Sequence, residues 1–181
     1  AGKVYTKLFS KLLKWKNVPS YIALVGTDDE NLEEKCGYYG EKFVLYAQSL
    51  GLNTCWAGMS YQKVKGTYTL TESEKIVCYI ALGYGETQGT GHKIKTIQEV
   101  SNVTQKTPEW FKKGVEAALL APTAVNQQKF RFTYLGPGRE GRDKVRAEKT
   151  FSMIGYTQLD LGIAKLHFEI AAGRENFEWE R

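Results

Sequence analysis

The chain has 181 residues, of which 42% are hydrophobic and 13% aromatic, so it can bury one real core and is not a disordered chain. The formal net charge of +5 is modest and the lysines are scattered, which gives nucleic-acid binding weak support. No apolar run is long enough to span a membrane and no signal peptide opens the chain, and the three cysteines lack metal-like spacing, so we expect a cytoplasmic protein with reduced, mostly buried thiols.

The first predicted element is an amphipathic helix. Apolar pairs at positions 4–5, 8–9 and 12–13 recur among lysines, and the pattern ends before Pro19. Such a helix either packs on a core or lies on a membrane surface. An apolar strand over residues 21–25 follows, and then a helix over residues 31–50 that ends at Gly51. Gly37 and Gly40 interrupt this helix, so we expect another backbone to approach it closely there.

Two strands and a glycine-rich segment come next. Residues 52–59 (LNTCWAGM) predict a short strand, and residues 75–85 predict the best-defined strand of the chain. The glycines that follow lack the Gly-x-Gly-x-x-Gly spacing at the start of a helix, which excludes a Rossmann dinucleotide site. Lys93 and Lys95 alternate in an extended segment, so both can reach one dianion; the alternative is a solvated charged loop.

Residues 121–128 (APTAVNQQ) form a loop between a helix and an aromatic strand. The helix covers residues 108–119, with one apolar face, and the strand covers residues 129–134. The amide side chains of the loop supply both hydrogen-bond donors and acceptors, which suits a flat ligand with polar edges. The alternative is a well-capped turn.

The last part of the chain contains one long helix. Residues 135–142 predict a turn-rich surface excursion, residues 154–172 a helix buried on most sides, and residues 177–179 a short strand. We interpret His167, inside the helix, as a structural histidine. The sequence contains no Ser-His-Asp set, no paired carboxylates and no metal cluster, so no side chain is assigned as a catalytic acid or base.

These segments resemble the FMN-dependent nitroreductase family. The helix, the Ala-Pro-Ser/Thr-x-x-Asn-x-Gln loop and the aromatic strand are similar to its flavin-contacting loop, and Gly-Leu-x-Thr-x-Trp-x-Gly is similar to its strand beside the isoalloxazine ring. A strand ending in Gly-Tyr before a basic pair is similar to its phosphate-gripping segment. The resemblance implies these cofactor-binding residues: Thr54, Cys55, Trp56, Ala57, Gly58, Lys93, Lys95, Pro122, Thr123, Ala124, Asn126 and Gln128.

Two helices share a layout. Gly40 and Gly51 are separated by the same interval as Gly162 and Gly173, and a strand containing tryptophan follows each helix. This predicts two related halves, residues 1–101 and 102–181, and resembles a nitroreductase branch in which one chain imitates the usual homodimer. The implied fold is a single α+β domain, a three-layer α-β-α sandwich with a central antiparallel-rich sheet and two pseudo-symmetric halves. The first half would supply the flavin strand and the lysines, and the second half the amide-rich loop.

The implied function is FMN-dependent oxidoreduction in the cytoplasm. NADH or NADPH would reduce FMN, and a small nitroaromatic or quinone-type acceptor would then reoxidise it in a ping-pong cycle. One departure is that no Arg-rich motif precedes Val4, so either a segment lies outside this chain or the phosphate grip is incomplete. The alternatives are a flavin-binding or flavin-free remnant acting as a sensor or interaction module, and a basic helical module for a membrane or nucleic acid.

Overall fold

The computed structural model describes residues 18, 20–58, 68–138 and 141–180, and shows a mixed α+β fold. The predicted N-terminal amphipathic helix lies outside the described residues. In chain order the elements are β1 (Ser20–Thr27), α1 (Leu32–Ser49), β2 (Asn53–Ala57), β3 (Glu74–Gly83), α2 (Ile97–Val100), α3 (Glu109–Ala118), a 3-10 turn (Ala124–Asn126), β4 (Phe130–Pro137), β5 (Asp143–Lys149), α4 (Thr157–Ala172) and β6 (Phe177–Trp179).

The chain divides into two compact units. The first contains Ala1–Leu32 and Lys42–Thr90, and the second contains Glu33–Glu41 and Gly91–Arg181. The predicted boundary between two related halves, at residues 101/102, stays a prediction; residues 91–101 lie in the second compact unit. Lys93 and Lys95 therefore belong to the same unit as the amide-rich loop, and not to the unit that contains β2.

The sheet of the first unit has the strand order β1-β3-β2, with both pairings antiparallel. The central strand β3 covers Glu74–Gly83, which confirms the strand predicted there, and half of its residues are buried. Tyr79 of β3 packs edge-on against Tyr21 of β1, with ring centroids 5.3 Å apart. Among the described residues β2 lies at the edge of this sheet, so β3 pairs with one side of its backbone.

The sheet of the second unit has the order β4-β5-β6, antiparallel between β4 and β5 and parallel between β5 and β6. β4 continues to Pro137, through the start of the predicted surface excursion. β5 has no sequence pattern that predicts a strand, because its sequence (DKVRAEK) lacks apolar alternation and Val145 is its only fully buried residue. The described residues thus form two three-stranded sheets, in which three of the four strand pairings are antiparallel. The single central sheet, the three-layer sandwich and the pseudo-symmetric halves stay predictions.

Aromatic side chains form the core of the second unit. The predicted apolar face of α3 is confirmed, since Phe111, Val115, Ala118 and Leu119 are all buried. Phe168 of α4 stacks on Phe132 of β4 at 4.7 Å and meets Phe111 edge-on at 5.5 Å. The high aromatic content is therefore used at least partly for packing.

Within the second unit, α4 and the Glu33–Glu41 part of α1 touch through their backbones. A β-carbon added at Gly37 would lie 2.0 Å from the carbonyl oxygen of Leu159, and one added at Gly162 would lie 2.0 Å from that of Glu34. This confirms the close approach expected at Gly37. Beside the contact, His167 Nε2 lies 2.8 Å from Glu41 Oε1, so His167 has the structural role that was predicted.

Candidate cofactor-binding site

We call residues 121–128 the amide loop. The loop follows α3 and leads through Pro122 into the 3-10 turn. Two backbone bonds close the turn: Asn126 N–H donates to Thr123 O at 2.9 Å, and Gln127 N–H donates to Ala124 O at 3.0 Å. The Thr123 hydroxyl oxygen accepts from Gln128 N–H at 3.1 Å. Local hydrogen bonds therefore fold the loop back on itself.

The backbone of the amide loop is strained. Val125, Asn126 and Gln128 have φ angles of +48°, +55° and +46°, in the left-handed region. This region costs an L-residue about 1–2 kcal/mol, and a β-branched valine there is a genuine outlier. Such conformations persist only where the surrounding structure determines them, and they cluster at functional sites.

The amide loop binds residues 91–96, which we call the basic segment. Lys93 O accepts from Asn126 Nδ2 and from Gln128 Nε2, each at 2.8 Å. Lys95 N–H donates to Gln128 Oε1 at 2.9 Å, and Lys95 Nζ donates to the carbonyl oxygens of Gln127 at 3.0 Å and Gln128 at 2.7 Å. The structure thus brings together two groups of predicted site residues that are distant in the sequence.

These contacts change the interpretation of the amides and of Lys95. Gln128 is only 3% exposed, and both ends of its side chain bind the basic segment. The amides of Asn126 and Gln128 therefore bind the protein itself, and their contact with a ligand stays a prediction. Lys95 uses two of its three ammonium protons on carbonyl oxygens of the loop.

Positive charge accumulates around the basic segment. Burial and, next, the charge of Lys129 lower the pKa of Lys95. The Lys93 side chain is exposed to solvent. Glu99 provides a countercharge: hydrogen bonds from Thr96 hold its pKa below the usual value, and Lys95 and Lys93 lower it further. Three lysines and one carboxylate leave a net positive region that favours an anion.

Asp160 is a site residue that the sequence analysis missed. It lies in the first turn of α4 and is 1% exposed. Its Oδ1 accepts from Ala124 N–H at 3.0 Å, and its Oδ2 accepts from Gln127 Nε2 at 2.7 Å. Burial raises the pKa of this carboxyl to about 6, against the opposing effect of the two hydrogen bonds. The available signal was an acidic residue inside a helix predicted to be buried on most sides.

Gln127 also connects the amide loop to the segment before α4. Its Nε2 donates to Gly155 O at 3.0 Å, and its Oε1 accepts from the hydroxyl of Ser152 at 2.6 Å. Large apolar side chains are exposed on both partners, with 67% of Val125 and 92% of Met153 accessible to solvent.

The other predicted site residues, Thr54–Gly58, lie in the first unit. In β2, Thr54 pairs with Leu82 and Trp56 with Ile80 across the antiparallel register. The Asn53 side chain accepts from Gly85 N–H at 2.8 Å, which fixes the turn after β3 beside this strand.

The three cysteines are free thiols, and two of the three are buried, as expected. Cys36 and Cys78 are the buried pair, whereas Cys55 of β2 is exposed. Across the described ranges, no group of three or more His, Cys, Asp or Glu side chains is placed to hold a metal ion. Within those same ranges, none of the helices has the length and apolar character needed to cross a membrane.

Comparisons with known proteins support the resemblance to nitroreductases, while FMN dependence and the branch with two halves stay predictions. A family model described as "Putative TM nitroreductase" matches residues 3–172 of the chain. The crystal structure of a putative nitroreductase from Thermotoga maritima MSB8 is similar, with a TM-score of 0.61 and 25% sequence identity. The similarity covers 87% of this chain and 62% of that one, so the chain spans less than two thirds of the length of the solved protein. No curated protein matches the chain.

Proposed function

Because the chain belongs to the TM nitroreductase family, we propose that it is an FMN-dependent oxidoreductase. Electrons would pass from NADH or NADPH to a small nitroaromatic or quinone-type acceptor. When bound, FMN supplies the ability to accept and return these electrons, while the protein binds and orients it. The observation that carries the proposal is the contact between the positively charged basic segment and the strained amide loop.

The basic segment supplies the chemistry that a phosphate needs. A phosphate carries nearly two negative charges and strong acceptor oxygens, for which ammonium groups are suitable donors. The Lys93 backbone is fixed by two amides, while its side chain stays exposed. Lys95 retains one ammonium proton beyond its two bonds to the loop. We propose that Lys93 contacts the phosphate directly, and that Lys95 adds its charge while holding the loop.

The amide loop contributes a fixed shape. The side-chain groups of Thr123, Asn126 and Gln128 are engaged within the protein. We therefore propose that Pro122, Thr123, Ala124, Asn126 and Gln128 contribute to flavin binding through the conformation they impose on the loop. This role does not need hydrogen bonds from the amide side chains of the loop to the flavin ring.

In the first unit, β2 is the proposed flavin-binding strand. Backbone N–H and C=O groups can bind a ligand without titrating. We propose that Thr54–Gly58 bind the flavin ring through these groups. The Asn53 bond to Gly85 supports the proposal, because it braces the strand at its start.

A second candidate function is a flavin-binding or flavin-free remnant that acts as a sensor or interaction module. The internal use of the loop amides favours it, since Asn126 and Gln128 both bind the basic segment. Mixing the FMN-loaded protein with NADPH and a nitroaromatic separates the two. Turnover supports the enzyme, whereas a bound flavin that neither NADH nor NADPH reduces supports the module.

We also propose that the chain has two related halves and works as a monomer that imitates a dimer, with a homodimer as the alternative. Gly51 and Gly173, which follow α1 and α4, both have φ of +77°, and a strand containing tryptophan follows each. Light scattering of the purified protein distinguishes the two assemblies. We propose the cytoplasm as its location, where the three free thiols stay reduced.

The test of the cofactor is an absorbance spectrum and an FMN titration of the purified protein. We expect Lys93→Ala to weaken FMN binding about tenfold, the loss expected for one charge-assisted hydrogen bond. Lys113→Ala is the matched control, because Lys113 is an exposed lysine of α3 outside the proposed site. Equal affinities of the two variants would remove Lys93 from the phosphate site, and wild-type protein that binds no FMN would refute the cofactor.

A further inference from the structure

We infer that Asp160 is the positioning residue of the amide loop. Its buried carboxylate holds the left-handed backbone of the loop in place, and through the loop it sets the position of the basic segment. The consequence for FMN binding rests on the function proposed above; the hold on the loop does not.

The carboxylate grips the loop on both sides of its strained part. Ala124 N–H, bound to Oδ1, lies immediately before Val125 and Asn126, and Gln127, bound to Oδ2, lies immediately after them. The two consecutive left-handed residues are thus enclosed between two bonds to one side chain. Hydrogen bonds to a charged acceptor are the strong ones in a protein, and they offset the cost of the strain.

The carboxylate itself cannot easily move. Asp160 is 1% exposed, in the first turn of a helix whose next four residues are all buried. A carboxylate near a helix N-terminus is favoured by the helix dipole, which offsets part of the cost of burying it. A buried helix therefore fixes the position of the loop.

The grip is transmitted to the basic segment through the residues that Asp160 fixes. Asn126 donates to Lys93 O, and Gln127 O accepts from Lys95 Nζ. When Ala124 and Gln127 are released, the left-handed residues can relax toward ordinary φ angles. Lys93 and Lys95 then lose the partners that place them.

Hydrogen exchange of the apo protein tests the hold on the loop directly. In Asp160→Asn the new side-chain NH2 group faces the side-chain NH2 group of Gln127, and two donors cannot bind each other. We therefore expect the backbone N–H protons of Ala124, Asn126 and Gln127 to exchange at least tenfold faster. Glu41→Gln is the matched control, a buried carboxylate of the same unit, on α1, that binds His167. Faster exchange in Asp160→Asn alone supports the inference; unchanged exchange in it, or equal acceleration in both, overturns it.

FMN titration tests the consequence, with a rescue that a merely stabilising residue would not show. We expect Asp160→Ala to weaken FMN binding at least tenfold in the wild-type background. In a protein that already carries Val125→Gly, the same substitution should weaken binding at most threefold, because glycine adopts the left-handed conformation without support. Equal weakening in both backgrounds overturns the inference. If the wild-type protein binds no FMN while Asp160→Asn still exchanges faster as expected, the proposed function is refuted and the role of Asp160 is supported.

Discussion

Replacing Gly162 with alanine tests the backbone contact between α4 and the Glu33–Glu41 part of α1. The added methyl group would lie 2.0 Å from the carbonyl oxygen of Glu34 and 2.8 Å from the backbone nitrogen of Tyr38. Even close carbon–oxygen contacts in proteins are about 3.3 Å or longer. Both neighbours are backbone atoms that cannot rotate away, so the helices must separate by about 1 Å.

Two opposing effects decide the sign of the change. Alanine favours a helix interior over glycine by about 1 kcal/mol, whereas overpacking costs up to about 3 kcal/mol. Separation would also stretch the bonds from Gln158 and Lys165 to Glu34, each 2.6 Å long. We therefore expect Gly162→Ala to lower the free energy of unfolding by about 2 kcal/mol, which is roughly 4–8 °C in Tm for a chain of this size.

Urea unfolding followed by circular dichroism measures this difference. Gly91→Ala is the matched control, because a β-carbon there meets nothing within 4 Å and the residue does not have a positive φ. Its stability should be unchanged or higher by up to about 1 kcal/mol. If Gly162→Ala were as stable as the wild type, the helices could not be in backbone contact at this point.

Two further predictions concern buried ionisable groups. The pKa of Asp160 rises from 3.8 to about 6 on folding, so the native state holds its proton longer and stability falls as pH rises from about 4 to about 6. Asp160→Asn should remove this dependence, which amounts to about 3 kcal/mol, and parallel wild-type and variant curves of unfolding free energy against pH would contradict it. His167→Ala removes the hydrogen bond to the buried carboxylate of Glu41 and should lower the free energy of unfolding in urea by about 2–3 kcal/mol. The control is Ile170→Ala, at an exposed position of the same helix, which should lower it by less than about 0.5 kcal/mol. Equal losses in the two variants would exclude the hydrogen bond as the cause.

The sequence predicted the elements whose patterns are local. The glycine after each long helix, the apolar face of α3 and the central strand β3 all depend on spacings of a few residues, and the structure confirms them. β5 has no such pattern, because only Val145 is buried in it, and the sequence analysis did not predict it.

The contacts inside the candidate site could not be read from spacing. Lys93 and Asn126 are 33 positions apart, and Ala124 and Asp160 are 36. Helical periodicity shows that Asp160 lies in an apolar helix, but not which loop meets the first turn of that helix. The residue types of the loop were interpreted from their capacity to bind a ligand, and that capacity is equally suited to binding the chain itself.

The internal bonding of the amide loop limits how the site can recognise a ligand. A fully engaged amide such as that of Gln128 can bind a ligand only by giving up a protein partner, which costs about as much as the new bond returns. Binding energy in the proposed site must therefore come from groups that are held in place and still have hydrogen-bonding capacity for a ligand. The exposed ammonium group of Lys93, on a backbone fixed by two amides, is such a group. In the proposed site the loop would act by holding that charge in one position before the ligand arrives, and preorganisation of this kind strengthens binding without any new contact.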